Sequence, residues 1–295
     1  MLEPLQTYRL SWPGYDMKLG RRTHIMGVVN VTPDSFSDGG KFLSQDAAVA
    51  QGLKLAADGA DIIDIGGEST RPFSDPIPID EEIERVIPVI ETLADQLTIP
   101  ISIDTMKAEV AGRAIEAGAS IINDVSALRF DPAMGEVAGK FGTPVVLMHM
   151  LGSPKTMQES PVYDNLIKDI SDFLKDAIDR AQKQGISKSK LLIDPGIGFG
   201  KTVSHNLILI RNLHAFAALG VPILIGPSRK SFIRKLLKDG QKDDIAPDLP
   251  VIETGTQAAV AAAVLCGAHI VRVHDVANTR ATIRILDAVR FAQDS

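Results

Sequence analysis

Polar and charged residues able to do chemistry recur at one kind of place in this 295-residue chain, just beyond short apolar runs. Asn30 follows the first run, and Glu68, Ser69, Thr70 and Arg71 follow the second. Asp104 follows the third, Asn123 and Asp124 the fourth, and His149 the fifth. Asp194 follows the sixth, Ser228, Arg229 and Lys230 the seventh, and Arg272, His274 and Asp275 the eighth. Any one of these could be a helix cap or a satisfied core polar group, but eight consecutive run ends furnished this way are hard to explain as caps. By chemistry they fall into two sets. Asp104, Asn123, Asp194 and Lys230 offer donors and acceptors suited to the edge of a nitrogen-rich heterocycle. Buried carboxylates are costly unless paired, so the two aspartates imply donors brought by a ligand or by Lys230. Arg71, Arg272 and His274, with Asn30, suit a phosphate group and a hard divalent ion such as Mg²⁺.

Together with the residues that end them, the runs read as strand-like segments: 24–31, 61–67, 100–105, 120–125, 144–150, 190–196, 221–227 and 269–275. Segments of helical period lie between them, among them 46–60, 80–95, 106–119 and 165–185. Gly59, Gly118, Gly185, Gly220 and Gly267 stand near the ends of such segments, the expected placement for helix termination. Continuously apolar strands alternating with helices imply a parallel sheet covered by helices. Eight units in a chain of this length predict an α/β fold, a single (β/α)₈ barrel over residues 23–295 preceded by an N-terminal arm at 1–22. A short hairpin around Pro13 and Gly14 is one form the arm can take. Residues 238–251 read as an exposed insertion after an extra short helix at 230–238. In such a barrel all eight run ends converge on one face, where sites of this fold are built.

The stretch MGVVNVTPDSFSDGG (26–40) passes from buried-strand character to small, polar, turn-forming residues broken only by Phe36. An aromatic flanked by Asp, Ser and Gly suggests a loop that closes on something flat. Other signals are weaker. GIGFG (196–200) lacks the spacing of a dinucleotide fingerprint and is read as backbone making room for a ligand. His24, His205, His214 and His269 show no zinc-ligand spacing, and Met148 and Met150 suit a pocket wall. Ser228 and His274 could imitate a nucleophile and its base, but no acyl-transfer elbow of the G-x-S-x-G kind is present.

Composition sets the outer limits. A hydrophobic fraction of 45% and a charged fraction of 23% suit a soluble α/β protein. With 31 basic and 37 acidic residues the net charge is −6, so no overall field recruits nucleic acid or an anionic membrane. Cys266, alone of its kind, reads as a small buried thiol and excludes a disulfide within the chain. No apolar run approaches the ~20 residues of a membrane span. The N-terminus lacks a signal pattern, so the expected location is cytoplasmic. The apolar helix at 253–268 and the segment 281–292 are candidates for a homodimer face.

The run MGVVNVTPDSFSDGG followed by GADIIDIGGESTRP (59–72) strongly resembles two characteristic segments of the dihydropteroate synthase family. SIDT (102–105), INDVSAL (122–128), DPGIGFGKT (194–202), SRKSFI (228–233) and RVHDV (272–276) continue the resemblance in order. It implies an enzyme that joins 6-hydroxymethyl-7,8-dihydropterin diphosphate to 4-aminobenzoate, releasing diphosphate and forming 7,8-dihydropteroate with the aid of Mg²⁺. It assigns Asp104, Asn123, Asp194 and Lys230 to the pterin, with Met148, Gly198 and Phe199 around it. Asn30, Arg71, Arg272 and His274 fall to the diphosphate and Mg²⁺, with Thr70 nearby. Phe36, Pro72, Lys230 and Ser231 form the aminobenzoate site, with Asp38 in the first loop. One departure is Phe73, where the family usually has a small residue. A non-catalytic pterin-binding paralogue and a methyltetrahydrofolate-type methyltransferase domain are the rival expectations.

Overall fold

Each of the eight apolar runs forms a strand, and every one pairs in parallel with its neighbours. The computed structural model describes residues 5–32, 41–71, 74–238 and 245–292. A hairpin of β1 (Tyr8–Trp12) and β2 (Tyr15–Leu19) comes first, turning at Pro13 and Gly14. The barrel strands are β3 (His24–Asn30), β4 (Ile62–Gly66), β5 (Ile101–Asp104) and β6 (Ile121–Asp124), then β7 (Val145–Met148), β8 (Leu191–Asp194), β9 (Leu224–Ile225) and β10 (Ile270–Val273). β3 to β8 lie side by side in chain order, and β10 sits between β3 and β9. A parallel bridge between Ile193 and Ile223, with the Ile193 N–H donating to the Pro222 carbonyl at 3.0 Å, closes the ring. The fold is the expected (β/α)₈ barrel.

Around it run α1 (Lys41–Asp58), α2 (Ile79–Ala94), α3 (Ala108–Glu116), α4 (Met134–Phe141), α5 (Leu166–Lys183), α6 (Val203–Arg211), α7 (Ser231–Leu237), α8 (Pro250–Leu265) and α9 (Val276–Arg290). The five helix-ending glycines all have positive φ, between +69° and +118°. Among the described residues no helix is long and apolar enough to cross a membrane.

Side chains alternate across a strand with period two, and this parity organises the barrel. One set, including Ile25, Val29, Ile63, Ile65, Ile103, Leu147 and Ile193, packs in the large core shared with the helices. The other set points inward. Met26, Ile62, Ile121, Val146, Leu192, Leu224 and Ile270 form a separate layer with Leu10, Trp12 and Leu19 of the hairpin. The arm is therefore a plug whose apolar face closes the N-terminal end of the barrel. His269 ties it down, its Nδ1 accepting from the Ile223 N–H at 3.1 Å and its Nε2 lying 2.9 Å from the Gln6 carbonyl.

Candidate active site

The same inward parity turns polar one step above the apolar floor. Asp64 stands two residues after Ile62, Asn123 after Ile121, Met148 after Val146, Asp194 after Leu192 and Arg272 after Ile270. Asn30 and His274 stand four residues beyond Met26 and Ile270. Arg272 is the hub. Its Nε donates to Asp64 Oδ2 at 2.6 Å and its Nη2 to Asp104 Oδ2 at 2.7 Å. Asn123 Nδ2 donates to the same Asp64 oxygen at 3.1 Å. The Oδ1 atoms of Asp64 and Asp104 are buried with no hydrogen-bond partner among the described residues. Buried acceptors of this kind call for a donor.

Asp194 Oδ1 accepts from the Gly196 N–H at 2.6 Å. The Lys230 ammonium lies 4.1 Å from the centre of the Phe199 ring, a cation–π arrangement. Phe199, Met148, Met150, Met157 and Val125 form a small buried wall, with Met106 against it. The protein donors to the two aspartates are thus Arg272 and a backbone N–H rather than Lys230, and Asp104 Oδ1 is left for a donor brought by a ligand, the other source expected. Arg272, of the second chemical set, binds Asp104 of the first, so the two sets form one network.

Burial dominates the electrostatics. It raises Asp104 to about 7 against the pull of Arg272, and raises Asp194 to about 6 against the Gly196 N–H and Lys230. It lowers Lys230 to about 8, aided by Arg272. His274 is lowered to about 3 by burial and then by Arg229, Arg272, Lys230 and Arg71, which leaves a neutral imidazole near pH 7. Arg71 is exposed on the loop after β4, beside the half-buried Thr70, and its charge reaches both Lys230 and His274. Ser231 is exposed at the first turn of α7, next to Lys230. Asn30 is half-buried at the end of β3. Phe36, Asp38, Pro72 and Phe73 lie outside the described residues.

Three run-end residues serve structure. Asp124 accepts from the N–H groups of Ser126 and Leu128 at 2.8 and 2.7 Å, holding a turn in which Ala127 and Leu128 have positive φ. Asp275 caps α9 through the Asn278 N–H at 3.0 Å. His149 is packed edge-on against Phe173, with its Nδ1 2.9 Å from Lys201 Nζ. The glycine-rich run lets protein approach closely: backbone at Gly196 and the Lys230 side chain at Gly198. A Cβ at Gly196 would lie 1.9 Å from the His149 carbonyl oxygen, and one at Gly198 3.1 Å from Lys230 Cδ. Two residues escape a search of run ends. Asp64 is hidden inside its apolar run, though its parity with Ile62 marks it as inward. Buried Lys201, whose Nζ donates to the Phe199 carbonyl at 2.9 Å, anchors the loop that carries Phe199.

A closed barrel whose mouth combines buried carboxylates with a cationic rim has the chemistry to hold a polar heterocycle beside an anionic group. Residues 26–274 match the family of pterin binding enzymes. Over 270 residues the chain is 45% identical to the dihydropteroate synthase of Synechocystis sp., covering 92% of this chain and 91% of that protein. Xanthomonas albilineans dihydropteroate synthase, solved with 4-aminobenzoic acid, is 44% identical with a TM-score of 0.89, over 98% of this chain and 100% of the other. Its complex with 7,8-dihydropteroate gives a TM-score of 0.85 at 43% identity, over 97% and 100%. The chain belongs to the pterin binding enzymes and, among them, to the dihydropteroate synthases.

Proposed function

We propose that this barrel mouth breaks the bond between the pterinylmethyl carbon and diphosphate of 6-hydroxymethyl-7,8-dihydropterin diphosphate and joins that carbon to the nitrogen of 4-aminobenzoate. One observation carries the reading: the buried Oδ1 atoms of Asp64 and Asp104, without a donor among the described residues, stand beside the cations Arg272 and Lys230. Asp104, Asn123 and Asp194 accept from and donate to the pterin edge, Lys230 donates to its acceptors, and Met148, Gly198 and Phe199 wall the ring. Arg71, Arg272, His274 and Thr70 receive the diphosphate. Phe36, Asp38, Pro72 and Ser231 are assigned to 4-aminobenzoate.

The bonding electrons leave with the diphosphate, whose growing charge the preorganised cations and the His274 N–H stabilise. The cation left on the pterin is stabilised by Asp104 and Asp194. The arylamine is already unprotonated at neutral pH, so its attack needs no strong base, and its proton passes to solvent. For Mg²⁺, Asn30 offers a neutral amide oxygen, and among the described residues no three His, Cys, Asp or Glu side chains gather to cage a metal. That donor set fits a hard ion that shares its coordination with diphosphate and water. Bound there, Mg²⁺ would supply further neutralisation of the leaving group. We place the enzyme in the cytoplasm as a homodimer, the latter supported by the exposed apolar residues of α8 and α9.

The test is diphosphate release from the dihydropterin diphosphate with Mg²⁺, with and without 4-aminobenzoate, and product identification by mass. Release with formation of dihydropteroate is expected. Tight pterin binding without release would overturn the reading in favour of a non-catalytic binding protein.

A further inference from the structure

Ser228 follows β9 and His274 follows β10, the strand paired with it. Their side chains meet, with Ser228 Oγ 2.9 Å from His274 Nδ1. The same oxygen accepts from the His274 backbone N–H at 3.3 Å. Ser228 is only 5% exposed, so its single hydroxyl hydrogen needs an acceptor inside the protein. Among the described residues, Nδ1 is the acceptor the structure places in reach. Were Nδ1 to carry the ring proton, that hydroxyl hydrogen would be buried unpaired, a costlier arrangement.

We propose that Ser228 is a positioning residue: by donating its O–H to Nδ1 it locks His274 in the tautomer whose proton sits on Nε2, leaving that N–H as a fixed neutral donor for the departing diphosphate. The assignment of His274 to the diphosphate rests on the function proposed above; the tautomer does not. The neutral state is supported by burial and by the four cations Arg229, Arg272, Lys230 and Arg71 around the ring. No proton is transferred in this role, since the Nε2 hydrogen stays on the ring while its hydrogen bond strengthens as charge grows on the leaving oxygen. The pair thereby differs from a nucleophile and its base. The Ser228 oxygen is buried and already engaged by a backbone N–H.

Long-range ¹H–¹⁵N correlation spectra of ¹⁵N-histidine-labelled protein without substrate, with His274 identified by its absence in His274→Gln, test this directly. The expected spectrum shows Nε2 protonated and Nδ1 bare. In Ser228→Ala the ring should become a mixture of tautomers, kcat should fall about tenfold, and KM for 4-aminobenzoate should stay unchanged. Ser228→Thr, which keeps the hydroxyl, should restore both tautomer and rate. A proton on Nδ1 in the unmodified protein, or an unaltered tautomer and kcat in Ser228→Ala, would overturn the proposal. If Ser228→Ala does not fold, the unmodified protein's spectrum decides alone. Because the spectra need no turnover, failure of the tautomer assignment and failure of the synthase activity are separate results.

Discussion

Burial draws three charged groups of the mouth toward neutrality from opposite sides: Asp104 up to about 7, Asp194 up to about 6 and Lys230 down to about 8. As pH falls through the two carboxyl values each acid gains a proton and loses acceptor capacity for a pterin N–H. As pH rises through about 8, Lys230 loses the proton that makes it a cationic donor. Pterin affinity should therefore peak near neutrality and fall on both sides. Calorimetry with 6-hydroxymethylpterin at about pH 5, 7.5 and 9.5 checks this, and a flat profile would contradict it. Lys230→Ala should weaken pterin binding by roughly 100-fold or more, through loss of a charged donor and of its packing on Phe199. Near-normal affinity in that variant would remove Lys230 from the site. Asp104, Asp194 and Lys230 are legible in the sequence because each stands where an apolar run stops. Asp64 is not, because its run continues on either side of it.

The hairpin β1–β2 shows how an element is decided by what it covers. Pro13 and Gly14 mark its turn locally, yet nothing local says that Leu10, Trp12 and Leu19 lie on seven inward-facing strand residues. Leu10 is 1% exposed in that layer. Leu10→Ala should cost about 2–5 kcal/mol, read as a lower urea midpoint. KM for both substrates should be unchanged, because Leu10 packs beneath the apolar floor, which separates it from the polar layer of the mouth. A stability equal to the parent's would show the plug to be dispensable. The short helix α6 lacks a strong apolar stripe. α6 is fixed by its cap, in which Thr202 Oγ1 accepts from the His205 N–H at 3.1 Å.

At the scale of the whole molecule, Ile285 is 68% and Val289 59% exposed on α9, with Leu265 of α8 and Phe291 also exposed. If this face joins two copies, Ile285→Glu with Val289→Glu should halve the mass measured by light scattering and leave pterin affinity intact. An unchanged mass would place the interface elsewhere. The alternation of apolar runs with amphipathic helices determined the barrel, and the parity within each run determined which residues face inward at its mouth. Both are local periodicities that the backbone imposes on any such chain. Partnership was decided only in three dimensions. Arg272 binds Asp64 and Asp104 across 208 and 168 residues of sequence because ring closure sets β10 beside β3, and from its place opposite Met26 and Ile62 the long arginine side chain reaches up to Asp64, two residues beyond Ile62, and to Asp104, opposite Gly66. Period fixes the face a residue occupies, while closure and register choose its neighbours.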